Sequence, residues 1–229
     1  MKKLTWAIAV LPMLITAAAI NFLPDKVPAH YGVTGEPDRW GSKYELFIFP
    51  VLILVIIGLF GLFAHLAESE TRFSQKKNRP AGKENAAVFR KTAPIIAIIM
   101  CVVQIIFIIK ACAEGNAKVD NLDIDFNRAT SLLMGIMLIA VSNYMPKTRR
   151  NSTIGFRCSW SMYNDTTWQK CNRFAAVAMS VAGLCAIVSS AFAKGIGAVL
   201  LLLGYVTAAL VISMVYAKKI YDEEKQKEQ

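Results

Sequence analysis

Six long apolar runs dominate the chain and decide what it can fold into. At about 1.5 Å per residue, a helix of ~20 residues crosses the roughly 30 Å hydrocarbon core of a bilayer with every backbone hydrogen bond made internally. Hydrophobic residues make up 55% of the chain and charged residues 18%, which is typical of polytopic membrane proteins. We therefore predict an all-α integral membrane protein with six transmembrane helices. The runs are Leu4–Ile20, Leu46–Ala64, Ala93–Ile109, Ala129–Met145, Phe174–Ala193 and Gly195–Ala217.

The distribution of charge predicts the orientation of these helices. If the N-terminus is cytoplasmic, the inner segments hold 19 of the 26 Lys and Arg residues, whereas acidic residues divide equally between the two sides. Cytoplasmic loops of membrane proteins carry such an excess of Lys and Arg. The pattern places both termini in the cytoplasm. The net charge of +10 is explained by Lys and Arg residues that face the lipid bilayer from the cytoplasmic side. Direct nucleic-acid binding is therefore not needed to account for it.

The spans divide the chain into four regions. Residues 1–64 are predicted to form a helical hairpin with an outer loop rich in Pro and Gly, and residues 65–92 a basic cytoplasmic loop. A four-helix membrane region follows over residues 93–217, with a basic inner loop at 146–173, and 218–229 form a cytoplasmic tail. The first run also fits a signal peptide, so its cleavage stays open.

The first outer loop, Leu23–Lys43, is a candidate ligand-binding surface. Three Pro and three Gly argue against a long helix and favour a compact, turn-rich loop, with a turn at Gly35–Asp38. A docking surface for an extracellular ligand and a structural cap over the helix ends are both open. A lone His in the loop is weak support for a zinc site, so we predict no metal and no cofactor. The candidate residues are Pro24, Asp25, Pro28, His30, Tyr31, Gly35, Asp38, Trp40 and Lys43.

The inner loop over residues 146–173 is the second candidate site. It carries six Lys and Arg residues, a single Asp and two of the four Trp, which suits the anionic headgroups of the cytoplasmic leaflet. A helix is predicted to begin at Asn164, Asp165 or Thr166, where Thr166 with Gln169 fits a capping box. The candidate residues are Asn151, Ile154, Gly155, Arg157, Trp160, Trp168 and Arg173.

The order of the inner-loop residues resembles the signature of the SdpI family of bacterial membrane proteins. That signature combines an Asn, an Ile-Gly pair, an Arg, two Trp and a His-Arg pair, and all seven candidate residues match it. Two departures stand out. Asn172 occupies the place of the His, and Cys158-Ser159 stands where Thr-Pro is usual. Any role that needs an imidazole there is therefore not expected in this chain.

The outer loop resembles a DUF1648-type segment, a small domain of unknown function often found N-terminal to the SdpI signature. Both resemblances together cover about a fifth of the chain, and their order and the six-span layout agree as well. The matching positions in the outer loop are Leu23, Pro24, Val27, Pro28, His30, Gly35, Asp38 and Lys43.

The resemblance implies a function that composition does not show. SdpI-type proteins are associated with immunity to a secreted killing peptide and with signalling to a cytoplasmic repressor. The resemblance therefore implies a multi-pass immunity or signalling protein of the bacterial cytoplasmic membrane, which binds or neutralises such a peptide on the outer side. A small-solute or peptide transporter is the alternative. Coupled transport usually leaves ionisable groups at mid-membrane, where this chain offers Gln104, for which a bond to another helix is the simplest explanation.

The sequence gives no sign of an enzyme. It lacks the common hydrolase and nucleotide-binding motifs, and its two histidines, His30 and His65, fall on opposite sides of the predicted membrane. We therefore predict no catalytic residues. In the sixth span, Gly197, Gly204 and Ala208 recur at helical spacing, which predicts close packing against a neighbouring helix.

Overall fold

The computed structural model describes residues 2–32, 37–73, 79–115 and 125–227, and within them the chain is a bundle of six helices. Five are long and apolar enough to cross a membrane, and α1 is a shorter apolar helix. The prediction of an all-α polytopic membrane protein with six helices is confirmed. The helices are α1 (Lys3–Ala19), α2 (Ile48–Phe73), α3 (Arg79–Gly115), α4 (Phe126–Ser142), α5 (Asp165–Ser190) and α6 (Ile196–Gln226).

The outer loop contains a β-hairpin that the sequence analysis did not predict. Strands β1 (Lys26–Tyr31) and β2 (Pro37–Ser42) pair antiparallel between α1 and α2. Pro is tolerated in such a ribbon because each strand has one edge that needs no partner. The described part of the loop contains no long helix, as the Pro and Gly content predicts, but it forms two short strands that this content did not indicate. Gly35 and Glu36 of the predicted turn lie outside the described residues, and Pro37 and Asp38 belong to β2.

The predicted cytoplasmic loop over residues 65–92 is largely helical instead. Helix α2 continues to Phe73 and α3 begins at Arg79, so the polar segment consists mainly of helix ends. With 37 residues, α3 is about 55 Å long, nearly twice the thickness of the hydrocarbon core. Its inner part therefore projects into the cytoplasm. There Arg90 forms two 2.7 Å hydrogen bonds with Glu68, which join the two extensions.

Helices α1, α2 and α3 pack around a small apolar core, and one buried polar residue links them. Gln104 on α3 is fully buried, and its Nε2 donates to Thr16 Oγ1 on α1 at 2.9 Å. The same amide also donates to the Leu46 carbonyl at 3.2 Å. The prediction that Gln104 bonds to another helix is confirmed. The core residues are Ala9, Ile53, Ile57, Ala93 and Ala97.

A close helix contact joins α4 and α5 at a pair of glycines. A Cβ added to Gly135 would lie 2.7 Å from the Gly183 carbonyl oxygen, and one added to Gly183 would lie 2.6 Å from that of Gly135. No described atom lies within 4 Å of a Cβ added to Gly197 or Gly204. The close packing predicted for the sixth span is therefore not made by Gly197 or Gly204 among the described residues; α6 buries Ala209, Ser213 and Ala217 instead.

At the outer end, Asp125 ties α4 to the turn between α5 and α6. One carboxylate oxygen accepts from the Arg128 N–H at the start of α4, at 3.0 Å. The other accepts from the Gly195 N–H at 2.6 Å. Only five residues separate the end of α5 from the start of α6, so the two helices form a tight helical hairpin.

Candidate ligand-binding crevice and inner signature loop

The ends of the outer hairpin are held together by two of the predicted site residues. Lys43 Nζ lies 3.0 Å from Asp25 Oδ1, and the Lys43 N–H donates to the Asp25 carbonyl at 3.1 Å. The Asp25 side chain is almost fully exposed, so the ion pair gains little energy in water. The backbone bond, however, fixes where the hairpin leaves α1 and meets α2.

His30 and Asp38 face each other across the hairpin. His30 Nδ1 lies 2.6 Å from Asp38 Oδ1, and both side chains are more than half exposed. Sequence reasoning had considered His30 with carboxylates as a metal site. Among the residues that the structure describes, no group of three His, Cys, Asp or Glu side chains could hold a metal ion.

Tyr31 anchors the hairpin to the helix bundle. Its hydroxyl donates to Glu114 Oε2 at 2.9 Å, and its ring stacks on Phe126 with a centroid distance of 5.6 Å. Lys110 Nζ lies 4.4 Å from the centroid of the same ring. Burial, together with the hydrogen bond to Glu114, raises the pKa of Tyr31 far above its usual range, so the hydroxyl remains a donor. Tyr31, like the buried Pro28, therefore has a structural role.

A crevice of about 430 Å³ opens beneath the hairpin. Its walls are apolar and come from β1, α2, α3 and the start of α4. At its rim, Arg39 Nη2 donates to Glu45 Oε2 at 2.8 Å. The lining residues are Val27, Pro28, Ala29, Arg39, Glu45, Leu46, Ile48, Phe49, Leu52, Val103, Gln104, Phe107 and Phe126.

Gln104 gives the crevice an acceptor with no partner. The side chain is fully buried, and its Nε2 is used by the bonds to Thr16 and Leu46. Its Oε1 has no hydrogen-bond partner among the described residues. A buried acceptor left unpaired costs about 1–3 kcal/mol, so an N–H donor that reached this oxygen would be stabilised.

The predicted outer-site residues fall into two groups in the structure, those exposed to solvent and those that support the hairpin. Asp25, His30, Asp38 and Trp40 are exposed, and Trp40 keeps 50% of its surface accessible. The other described members support the hairpin. The sequence did not predict the rim pair of Arg39 and Glu45, because two oppositely charged residues six positions apart form no recognisable pattern. It predicted only a structural role for Gln104. The supporting members are Pro24, Pro28, Tyr31 and Lys43.

The signature Asn of the inner loop folds the turn that follows it. Asn151 Nδ2 donates to the carbonyls of Arg149 and Ile154, at 2.6 and 3.0 Å. Its Oδ1 accepts from the N–H groups of Thr153 and Ile154, each at 2.7 Å. One amide thus closes four hydrogen bonds in a segment without helix or strand. Ile154 then packs against the cluster around Phe89 on α3.

Gly155 occupies a backbone conformation that other residues rarely adopt. Its φ is +112°, and a Cβ there would lie 2.7 Å from Asn172 Oδ1 and 2.9 Å from the Trp168 ring. Trp168 is 1% exposed and donates from Nε1 to the Thr148 carbonyl at 2.9 Å. Two predicted site residues, Gly155 and Trp168, are thereby brought into contact as structural elements of the loop.

Helix α5, which follows the loop, begins at one of the predicted N-cap residues. Asn164 is the N-cap of α5, and its Oδ1 accepts from the Thr167 N–H at 2.8 Å. Thr167 Oγ1 returns the interaction by accepting from the Asn164 N–H at 3.0 Å. The capping box therefore uses Asn164 and Thr167, and the predicted pair of Thr166 and Gln169 is wrong.

Three signature residues of the inner loop remain accessible to other molecules. Arg157 and Arg173 are exposed, and within the described part of the chain neither guanidinium has a hydrogen bond or ion pair. Trp160 is half-buried against the cluster around Phe156 and Cys171. These three side chains are available for binding, whereas Asn151, Gly155 and Trp168 build the loop that presents them.

Two family models match the chain in the order that the motifs suggest. Residues 7–54 match the domain of unknown function DUF1648, and residues 147–217 match the SdpI/YfhL protein family. The first match contains the outer hairpin and the second begins at the inner loop. No solved structure matches the chain.

Two relatives extend this finding. The chain is 25% identical over 223 residues to a Bacillus subtilis protein named Immunity protein SdpI, a match that covers 96% of this chain and 97% of the relative. It is 36% identical over 70 residues to an uncharacterized protein of Archaeoglobus fulgidus, which covers 30% of this chain and 38% of that protein. This multi-pass membrane protein therefore carries an N-terminal segment that matches DUF1648 and a C-terminal region that matches the SdpI/YfhL protein family, and it is similar over nearly its whole length to the protein named Immunity protein SdpI.

Proposed function

We propose that this protein is a membrane immunity protein that binds a secreted antimicrobial peptide in the outer crevice. The similarity to the protein named Immunity protein SdpI extends over nearly the whole length of both chains, which supports an immunity role. On the charge-based orientation, the crevice lies at the outer end of the bundle. An amphipathic peptide arriving from outside meets Trp40 and the polar hairpin first, and the apolar crevice beneath them second.

The unpaired acceptor on Gln104 is the observation that carries this proposal. A peptide supplies backbone N–H donors, and one of them in the crevice offsets the cost of leaving Oε1 unsatisfied. The apolar walls bury the hydrophobic side chains that accompany it. The charged rim of Arg39 and Glu45 offers both a donor and an acceptor to the polar side of the peptide. Holding the peptide there keeps it from disordering the bilayer.

A protection assay with a crevice-filling variant tests the proposal. Leu52 lines the crevice and is 48% exposed, so Leu52→Trp fills the space without removing a hydrogen bond. Leu59→Trp is the matched control, because Leu59 is 44% exposed on the same helix but does not line the crevice. We expect wild type and the control to protect a sensitive bacterium from an SDP-type killing peptide, and Leu52→Trp to protect less.

Two results would count against the proposal. Equal protection by both Trp variants would exclude the crevice as the binding site. Absence of protection by the wild type, with expression and membrane insertion confirmed, would exclude immunity to this class of peptide. Accumulation of labelled peptide or of a small solute inside vesicles would favour the transport alternative instead.

We further propose that the accessible inner-loop residues pass the binding event to a cytoplasmic repressor. Arg157 and Trp160 project from a loop that is itself held by internal hydrogen bonds. A ligand shifts such a loop only if it binds one arrangement of the bundle better than another. The Arg157→Ala, Trp160→Ala double variant should keep peptide binding and lose the response of a repressor-controlled reporter. Equal loss of both would argue against separate outer and inner roles.

A further inference from the structure

Two cavities meet at the inner ends of α4 and α5. One, here called the basic bowl, has a volume of about 360 Å³ and is lined by polar and basic side chains that include Lys147 and Gln169. The other, here called the apolar groove, has a volume of about 640 Å³ and runs between α4 and α5. Pro146 and Arg173 line both cavities, so the bowl and the groove adjoin.

The apolar groove has the length of one bilayer leaflet. Along α5 it extends from Arg173 to Leu184, a distance of about 16 Å at the helical rise, against about 15 Å for half of the hydrocarbon core. Its walls include Val177, Val181 and Leu184, which keep 64%, 53% and 55% of their surfaces accessible. These side chains therefore offer apolar surface to the acyl chains of the bilayer.

The basic bowl presents two cations at the level of the headgroups. Arg149 is already neutralised by its ion pair with Glu84. Lys147 and Arg173 have no carboxylate partner among the described residues, and Lys147 Nζ lies over the Tyr144 ring at 4.6 Å from its centroid. A phosphodiester is the complementary group, since charge-assisted hydrogen bonds from Arg and Lys to phosphate oxygens are strong.

We propose that this composite site binds an anionic phospholipid of the cytoplasmic leaflet, with the phosphate in the basic bowl and an acyl chain in the apolar groove. A soluble phosphate would use the bowl and leave the groove open. Phosphatidylcholine carries the same phosphodiester, but its choline cation would lie near Lys147 and Arg173 and cancel the net attraction. The site lies at the other end of the bundle from the outer crevice and shares no lining residue with it, so it is independent of the peptide-binding proposal.

Native mass spectrometry of the purified full-length protein tests this inference. The probes are dioleoyl phosphatidylglycerol, dioleoyl phosphatidylcholine and glycerol phosphate. We expect phosphatidylglycerol to stay bound, phosphatidylcholine to be lost and glycerol phosphate to compete poorly. Equal retention of the two lipids would overturn the proposal. Displacement of the lipid by glycerol phosphate would assign the bowl to a soluble phosphate and overturn it as well.

Charge variants test the basic bowl. Lys147→Gln with Arg173→Gln should lower phosphatidylglycerol affinity about 30-fold, because each cation at an anionic headgroup contributes about fivefold. Lys218→Gln with Lys219→Gln is the matched control, since both are exposed Lys residues near the inner end of α6 that line neither cavity. An equal loss in the control pair would show general surface attraction and overturn the proposal.

A groove-filling variant tests the acyl chain separately from charge. Val181→Trp fills the apolar groove and leaves Lys147 and Arg173 in place, so we expect it to lower retention of phosphatidylglycerol. Val215→Trp is its control, because Val215 is 68% exposed on α6 and lines neither cavity. Retention equal to that of the wild type in Val181→Trp would remove the acyl chain from the groove.

Discussion

The side chain of Asn172 pairs with the backbone of Phe156 as a neighbouring strand would. Asn172 Oδ1 accepts from the Phe156 N–H at 2.7 Å, and its Nδ2 donates to the Phe156 carbonyl at 3.4 Å. Nδ2 also donates to the Trp168 carbonyl at 3.0 Å, one turn earlier in α5. Asn172 is fully buried. One amide therefore binds the irregular inner loop to the helix that follows it.

Replacing this amide by an apolar group of similar size should destabilise the protein. Asn172→Leu leaves the buried Phe156 N–H without an acceptor, and we expect a loss of about 1–3 kcal/mol in the free energy of unfolding. Asn143→Leu is the matched control, because Asn143 is exposed at the C-terminus of α4 and should change stability by less than about 0.5 kcal/mol. Unfolding by SDS titration in mixed micelles measures both, and equal effects would contradict the assigned role.

Gly155 should not accept a side chain. Gly155→Ala places a Cβ in a strained backbone conformation and against Asn172 and Trp168, for which we expect a cost of about 1–3 kcal/mol. Gly197→Ala provides the comparison, since the added methyl group meets no described atom within 4 Å and Ala favours helix over Gly. Thermal unfolding in detergent should show a lower midpoint for Gly155→Ala alone. An unchanged midpoint would mean that the loop tolerates the methyl group.

The sequence of the inner loop predicted some of its important residues but not the contacts between them. Its residue order singled out Gly155 and Trp168, because a Gly before an aromatic and two spaced Trp are unusual in a basic loop. Their contact could not be foreseen, since it depends on how the twelve intervening residues turn. Asn172 was noted only as a departure from a His. Its role as a partner for backbone groups is invisible in a pattern of residue types.

The membrane spans were predictable, and the segments beyond them less so. Apolar length sets the spans, because the bilayer leaves a helix few alternatives. Hydropathy gives no signal for a helix that continues into water, so the inner extension of α3 from Arg79 was taken as loop. The β-hairpin was missed for a related reason. Its register depends on cross-strand contacts such as Pro28 with Trp40, which local composition does not record.

The crossing of α4 and α5 should depend on the absence of side chains at its centre. Gly183→Val would drive a branched side chain into the Gly135 carbonyl, so the helices must separate and lose packing. Gly204→Val tests the same substitution on α6, where no described atom lies within 4 Å of the new Cβ. We expect a loss of about 1–3 kcal/mol for Gly183→Val and less than about 1 kcal/mol for Gly204→Val. The SDS unfolding midpoint distinguishes them, and a reversed order would place the close contact elsewhere.

Two neighbouring residues on α3, Glu84 and Asn85, both contact Arg149. We expect the uncharged Asn85 to contribute more to the free energy of unfolding. Glu84 forms an ion pair with the Arg149 guanidinium, but the two side chains are 41% and 50% exposed, so the pair contributes less than about 1 kcal/mol. Asn85 is 4% exposed, and its Oδ1 accepts from the Arg149 N–H at 2.8 Å.

Asn85→Ala leaves that backbone N–H without its acceptor, for which we expect a cost of about 1–3 kcal/mol. Glu84→Gln keeps the size of the side chain and removes its charge. We expect this variant to lose less free energy of unfolding than Asn85→Ala, and to lose still less in high salt, because exposed ion pairs are screened. Parallel SDS titrations at low and high ionic strength measure both variants. A larger, salt-sensitive effect of Glu84→Gln would show that the ion pair, and not the Asn85 hydrogen bond, holds the inner loop to α3.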